Sequence, residues 1–524
     1  KNIVATVILY KIIVKYCLFY ENTRINVKKG YPMLNRKKIT TLGLIIVLVV
    51  SFLISGCSQK SNNHQDDLNK DSTEEQAEIS SNDNGAELSE ANDDMSGVTN
   101  TDISSFSDIA ENIAEKVKLH WPHMDKVWPG YDYTKHNLIL FYSDELGSIK
   151  EAWLINSEGS RQLDAKEFED ITPPQPDGFA PLQFEDKPSI AMNLDDISLT
   201  QGDAAEQTYR TATHELVHFY YHVDGLTDAE GSRFQKFPID KTPRLYRAMV
   251  YKNLREAFFA PDLAEDHLAK AKYWYEKWKS EFNDEYEDIK GTDIIEGTAR
   301  YIENIGSFIT DQTSDEDFVK GAAASIDYSA FFSTADAESY EIGYLSALLL
   351  DRNNPQWKES FYESGKTLEE TLFENISEKE EEIDATLEKN ATQEIETINS
   401  QTESDISELI KAQEDSTIPY LKINVTKSDG SFSAHSMLEY NNDLVITFFN
   451  NSYRVEQKDL NVNDIAVIDQ AEQDNLFIIV PLTMEHKLED GILTVDTKEL
   501  EVPGLKVEES KDGERTIYNL EVEQ

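Results

Sequence analysis

The segment from Thr211 to His222 reads TATHELVHFYYH, and its two histidines and one glutamate have a spacing that suits metal chemistry. His214 and His218 stand four residues apart, so on an α-helix, at ~100° per residue, their rings leave one face a turn apart. Two neutral imidazoles so placed grip one Zn²⁺ at ~2.0–2.1 Å. Glu215 points to the neighbouring side of that face, where a water in the open fourth position would sit. It is the candidate general base. Random placement of the 10 histidines among 524 residues yields this arrangement about once in 50 such chains. The motif therefore outweighs the plainer reading, a core helix with hydrogen-bonded histidines.

Two imidazoles do not complete a zinc site, and the third ligand decides its kind. His222 lies one more turn along, ~80° around the helix from His214, and reads as a helix-end residue off the metal face. Asp224 stands where a metzincin-like third ligand would come, but Tyr221 occupies the position at which that pattern needs a glycine. A better candidate lies in Thr292 to Glu303, TDIIEGTARYIE. Helical spacing puts Glu296, Ala299 and Glu303 on one stripe, with Ile295 and Ile302 on an adjacent apolar one. Small residues after Glu296 leave room for another helix to come close.

His214-Glu215-x-x-His218 followed by Glu296-Gly-x-Ala299-x-Tyr301 resembles the zincin metallopeptidases of the gluzincin type, thermolysin-like in site rather than in overall sequence. The resemblance implies His214, His218 and Glu296 as zinc ligands, Glu215 as base and a peptide or protein as substrate. It covers the site helices and, more loosely, Gly343 to Leu350 and Trp357 to Phe373. One departure is the spacer, since 77 residues separate His218 from Glu296, far more than in thermolysin itself. Catalysis on this pattern also needs a donor for the developing oxyanion. Tyr301, Tyr340 and Tyr344 qualify, with Tyr344 preferred because its apolar helix must pack near the site. Asp293, three residues before Glu296, either holds a ligand imidazole from behind or is a first-turn acid favouring the helix dipole.

The surrounding pattern predicts an α+β chain. A helix from Phe106 is followed by short strands at Leu138 to Tyr142, Ala152 to Ile155 and Ser189 to Leu194, a small mixed sheet placed before the histidine helix. The spacer is helix-periodic over Leu245 to Phe259 and Leu263 to Phe282. Its Tyr273, Trp274, Tyr275 and Trp278 read as packing between helices in preference to a substrate wall. We expect a zincin-like domain over 105–376, an amphipathic helical segment over 377–415 and a β-rich domain over 416–524.

A formal charge of −50 excludes nucleic acid as a partner. Residues 1–57 run against that trend, with nine Lys or Arg and one Glu. Within them Arg36-Lys37-Lys38, the apolar run Ile39 to Ile54 and the end Ser55-Gly56-Cys57 form a signal peptide over 33–57. Its end resembles the lipobox of bacterial lipoproteins, which implies a diacylglyceryl group on Cys57 and a protein held on the extracytoplasmic face of the cell membrane. Residues 1–32 read as an upstream extension, because the leader fits best from Met33. With Cys17 and Cys57 the only cysteines, no Cys-based metal site exists. Residues 58–104 carry twelve acids against two lysines and read as a disordered tether. The expected function is a membrane-anchored zinc metallopeptidase. Its rival is a zincin-fold lipoprotein without activity, serving as a surface binding or scaffold protein.

Overall fold

The computed structural model describes residues 105–522, apart from 145–147, 170, 175, 223–234, 327–330, 333–335, 427–435 and 473–474. Cys57, the leader, the acidic stretch and Asp224 lie outside the described residues. Helix α1 (Phe106–His120) is capped reciprocally by Ser105 and Asp108 and buries Phe106, Ile109, Ile113 and Val117, an i, i+3, i+7 stripe. Next come strands β1 (Asn137–Ser143), β2 (Ile149–Asn156), β3 (Gly159–Gln162), β4 (Phe179–Phe184) and β5 (Lys187–Leu194). They form one mixed sheet in the order β3-β2-β1-β5-β4, with only β1 and β5 parallel.

Alternation along β1 serves two cores. Leu138 and Leu140 face the main one, whereas Ile139 and Phe141 join Ala152 and Leu154 on the opposite face. Strands β3 and β4 escape the hydrophobic pattern for different reasons. The first is short and mostly exposed; the second carries Pro181, which the sheet tolerates because β4 is an edge.

Helices α2 (Ala204–Tyr220), α3 (Lys241–Phe259), α4 (Ala264–Glu281), α5 (Asn283–Gly306), α6 (Asp315–Ala324) and α7 (Ala337–Asn353) pack behind the sheet. Trp274, Tyr275 and Trp278 are buried among them, so the aromatic run of α4 is packing. Where α5 crosses α7, Gly297 meets Gly343. A Cβ on Gly343 would sit 2.4 Å from the Gly297 Cα, and one on Gly297 would sit 3.0 Å from the Gly343 Cα. Each glycine costs its helix about 1 kcal/mol relative to alanine. That close approach of α5 to α7 is what the cost secures.

A buried polar knot joins three of these helices. The Arg247 guanidinium of α3 donates to both oxygens of Asp293 in α5 at 2.7 and 3.1 Å, and Ser339 of α7 donates to the same carboxylate at 2.6 Å. Arg247 also lies 4.5 Å above the Trp278 ring.

After α8 (Leu368–Leu372), the helices α9 (Ala385–Asp405) and α10 (Ser407–Glu414) lead into the C-terminal sheet. A two-residue strand, β6 (Gln235–Lys236), belongs to that sheet although it lies between α2 and α3. Its other strands are β7 (Tyr420–Asn424), β8 (Ser436–Tyr440), β9 (Asp443–Val455), β10 (Lys458–Glu472), β11 (Asn475–Pro481), β12 (His486–Glu489), β13 (Ile492–Asp496), β14 (Leu500–Lys506), β15 (Glu508–Asp512) and β16 (Arg515–Glu521). β6 pairs with β8, Phe237 N–H donates to Glu439 O at 2.9 Å, and Asn399 of α9 exchanges two hydrogen bonds with Ile239 at 2.8 and 3.1 Å. The segment following the histidine helix is thus tied to the β-rich part. Among the described residues no helix is long and apolar enough to cross a membrane.

Candidate metal centre

The histidines reach a common point because α2 and α5 run antiparallel and are linked rung by rung. Tyr209 donates to Gly306 O at 2.8 Å at one end. The back of α2 is held by Tyr133, which donates to Thr213 O at 2.8 Å, and by Trp121, which donates to Thr213 Oγ1 at 3.1 Å. Pinned on both sides, α2 presents His214 and His218 to Glu296.

Three ligand atoms converge. The Nε2 atoms of His214 and His218 are 2.8 Å apart, and Glu296 Oε2 lies 3.3 Å from the first and 3.4 Å from the second. Tetrahedral zinc with bonds of ~2.0–2.1 Å sets its ligand atoms about 3.3–3.4 Å apart, so both carboxylate-to-imidazole distances match that ion, whereas the two ring nitrogens at 2.8 Å would have to part by about 0.5 Å to take it. Glu296 Oε2 is buried and makes no well-directed hydrogen bond, and the two imidazole nitrogens are the groups paired with it, an arrangement that a shared cation would complete. Among the described residues this is the one cluster of His, Cys, Asp or Glu with such convergence.

Burial opposes ionisation of Glu296, but the two imidazoles hold its carboxyl far below the usual carboxylate range. Burial likewise pulls the His214 ring down, yet Glu296 and Glu303 outweigh it and raise the pKa to about 10. The His218 ring, by contrast, is lowered by burial.

Glu215 is fully buried at 0 % exposure, and neither of its carboxyl oxygens has a hydrogen-bond partner. Burial lifts its pKa well above the ordinary value; His214 opposes this, and Glu296 and Glu303 add repulsion. Glu369 is also buried with both oxygens unpartnered and its pKa raised, so what sets Glu215 apart is its place in the chain next to a ligand histidine.

Glu303 is the group that holds an imidazole from behind. His214 Nδ1–H donates to Glu303 Oε2 at 3.0 Å, which leaves Nε2 for the metal side. Arg300 donates to the other oxygen of Glu303 at 2.8 Å. Burial alone would raise the Glu303 carboxyl, but Arg300 and His214 bring it down to about 2. The expectation for Asp293 is corrected, since its carboxylate is occupied by Arg247 and Ser339 and serves the joint between α3, α5 and α7. Its stripe position, three residues before the ligand, turns it toward α3.

Tyr344 is also corrected. Its hydroxyl donates to Ala322 O at 3.0 Å and belongs to the packing of α6. One turn earlier on α7, the Tyr340 ring lies 5.8 Å from the His214 ring, among Glu296, Asp336, Glu215 and Glu303. Tyr301 is committed elsewhere, to Asp351 and Lys358. Sequence reasoning set Glu303 on the ligand stripe without giving it a role. The available signal was its separation of seven residues, two helical turns, from Glu296.

His222 also belongs to the site's surroundings. Its Nδ1 is 3.2 Å from His218 Nδ1, its Nε2 is 3.2 Å from Thr298 Oγ1, and the Tyr362 ring packs at 5.7 Å.

No protein-family model, curated protein or solved structure matches this chain. What the site does must therefore be argued from its own atoms.

Proposed function

We propose that this protein is a zinc-dependent peptidase with a zincin-like catalytic domain, tethered through Cys57 to the extracytoplasmic face of a membrane. The reading rests on one observation above the others: Glu215, buried with both oxygens unpartnered, follows the ligand candidate His214 directly and feels the charges of His214 and Glu296. A purely structural zinc site takes four protein ligands and has no use for an unsatisfied acid. Three ligands and a spare carboxyl suit hydrolysis.

His214, His218 and Glu296 would hold the ion. When bound, zinc supplies a Lewis acid that polarises the scissile carbonyl and acidifies the attacking water. Glu215 accepts the water's proton on a carboxylate oxygen and returns it to the leaving nitrogen. Tyr340, whose ring lies 5.8 Å from the His214 ring, is the candidate donor for the developing oxyanion, in place of Tyr344. Glu303 keeps His214 in the tautomer that frees Nε2.

Metal analysis of the purified protein, with Glu296→Ala beside it, tests the ligand set: about one zinc per chain is expected, lost or weakened in the variant. Glu215→Gln should keep the metal and lose hydrolysis of an unfolded protein substrate. Equal turnover by wild type and Glu215→Gln would remove the assigned base and leave the rival reading, a zinc-holding scaffold.

A further inference from the structure

His222 is not a fourth ligand, because its Nδ1 faces the far nitrogen of His218 and not the point where the three ligand atoms meet. Donors and acceptors on that side permit one arrangement if His218 Nε2 is to offer a lone pair. The His218 proton must then sit on Nδ1 and be donated to His222 Nδ1 at 3.2 Å. His222 must carry its own proton on Nε2 and donate it to Thr298 Oγ1, also at 3.2 Å. Thr298 passes its hydroxyl proton back to its own helix, at 2.7 Å from Ile294 O and 3.0 Å from Ile295 O. Each proton in the chain has an acceptor.

This chain also has a mechanical effect. His222 lies two residues beyond the end of α2, where its N–H caps Val217 O at 2.9 Å. Thr298 lies on α5, two residues past Glu296. The link therefore fastens the free end of one ligand helix to the other, on the opposite side of the ligands from the His214–Glu303 bond.

Resting on the zinc reading above, we propose that His222 is a positioning residue for the metal: with Thr298 it fixes the ring and the tautomer of His218 and completes a bracket around the ligand set. The two brackets differ in kind. His214 leans on a carboxylate, which makes it the stronger electron donor. His218 leans on a neutral ring, which sets its direction without adding charge to a site that already holds Glu215, Glu296 and Glu303.

The test is Zn²⁺ affinity of the whole chain, measured by chelator competition, with the visible spectrum of the Co²⁺ form as a second readout. His222→Ala should bind Zn²⁺ about 10–100-fold more weakly and alter the cobalt bands, since the His218 ring is released. His222→Asn keeps an acceptor and a donor in one side chain and should recover much of the loss. Thr298→Val should lose less than His222→Ala, and the double variant should be no weaker than His222→Ala alone, because the link is a single series. Thr298→Val also serves if His222→Ala does not fold. Wild-type affinity within twofold in His222→Ala, or Asn rescuing no better than Ala, overturns the positioning role alone. Failure of the wild type to bind either ion overturns both this role and the zinc centre.

Discussion

If Glu215 is present for chemistry, replacing it with an apolar side chain of similar size should make the metal-free protein more stable. Both of its oxygens are buried without partners, and each such group costs about 1–3 kcal/mol relative to a satisfied one. Methionine at this position removes both and brings an imperfect fit worth less than about 1.5 kcal/mol. The net expectation for Glu215→Met is a gain of about 1–3 kcal/mol. The readout is calorimetry of the metal-free proteins in chelator, resolving the transition of the helical domain, because a chain whose helical and β-rich parts have separate cores need not unfold in one step. The gain should depend on pH with a definite sign. A carboxyl whose folded pKa is raised binds more protons folded than unfolded, so the cost of ionising it, added to that of its unpartnered oxygens, is absent below the unfolded value near 4.5 and grows as pH rises above it. The advantage of methionine should therefore be larger at pH 7.5 than at pH 4.5. A loss of 2 kcal/mol or more at neutral pH, the ordinary result of disturbing a satisfied core position, would refute the reasoning and give Glu215 a structural role.

Four further outcomes follow from the same geometry. Glu303→Gln should weaken zinc binding about 10–100-fold, whereas Asp293→Asn should leave affinity within a few-fold while lowering the melting temperature, because only Glu303 touches a ligand ring. Zinc uptake at pH 7.5 should release at least one proton from His214, whose pKa of about 10 keeps it charged in the metal-free site; calorimetry in buffers of different ionisation enthalpy reads this, and affinity should climb with pH up to about 10. Gly343→Ala should destabilise by about 1–3 kcal/mol despite alanine's helix preference, and more than Gly297→Ala, since its Cβ meets backbone at 2.4 Å and the other at 3.0 Å; thermal melting decides the order. Tyr340→Phe should lower kcat at least tenfold with little change in zinc content, and Tyr344→Phe should leave kcat near wild type.

Elements with strong periodicity were legible in the sequence. The stripe on α1, the helices of the spacer and the strand at β1 follow from where apolar side chains fall. Elements held by pairing were not. Within the C-terminal sheet, Asn461, Asn463, Asp464 and Asp469 interrupt the apolar pattern of β10, which is one continuous strand because β9, β11 and β14 supply its hydrogen bonds. Edge strand β4, with Pro181, is of the same kind.

For the site, spacing alone proposed His214, Glu215 and His218, because four residues on a helix are one turn and local geometry needs no other part of the chain. Glu296 could be placed on a face but not brought to the histidines, since that depends on how α2 and α5 are held side by side, by Tyr209 to Gly306 and His214 to Glu303. The supporting groups were beyond sequence reasoning for the same reason. Asp293 and Glu303 are both acids on α5 near the ligand, yet one is claimed by Arg247 of α3 and the other by His214 of α2. Residue type and helical phase determine which way a side chain points, whereas the neighbouring helices that only the tertiary fold assembles determine what it meets there.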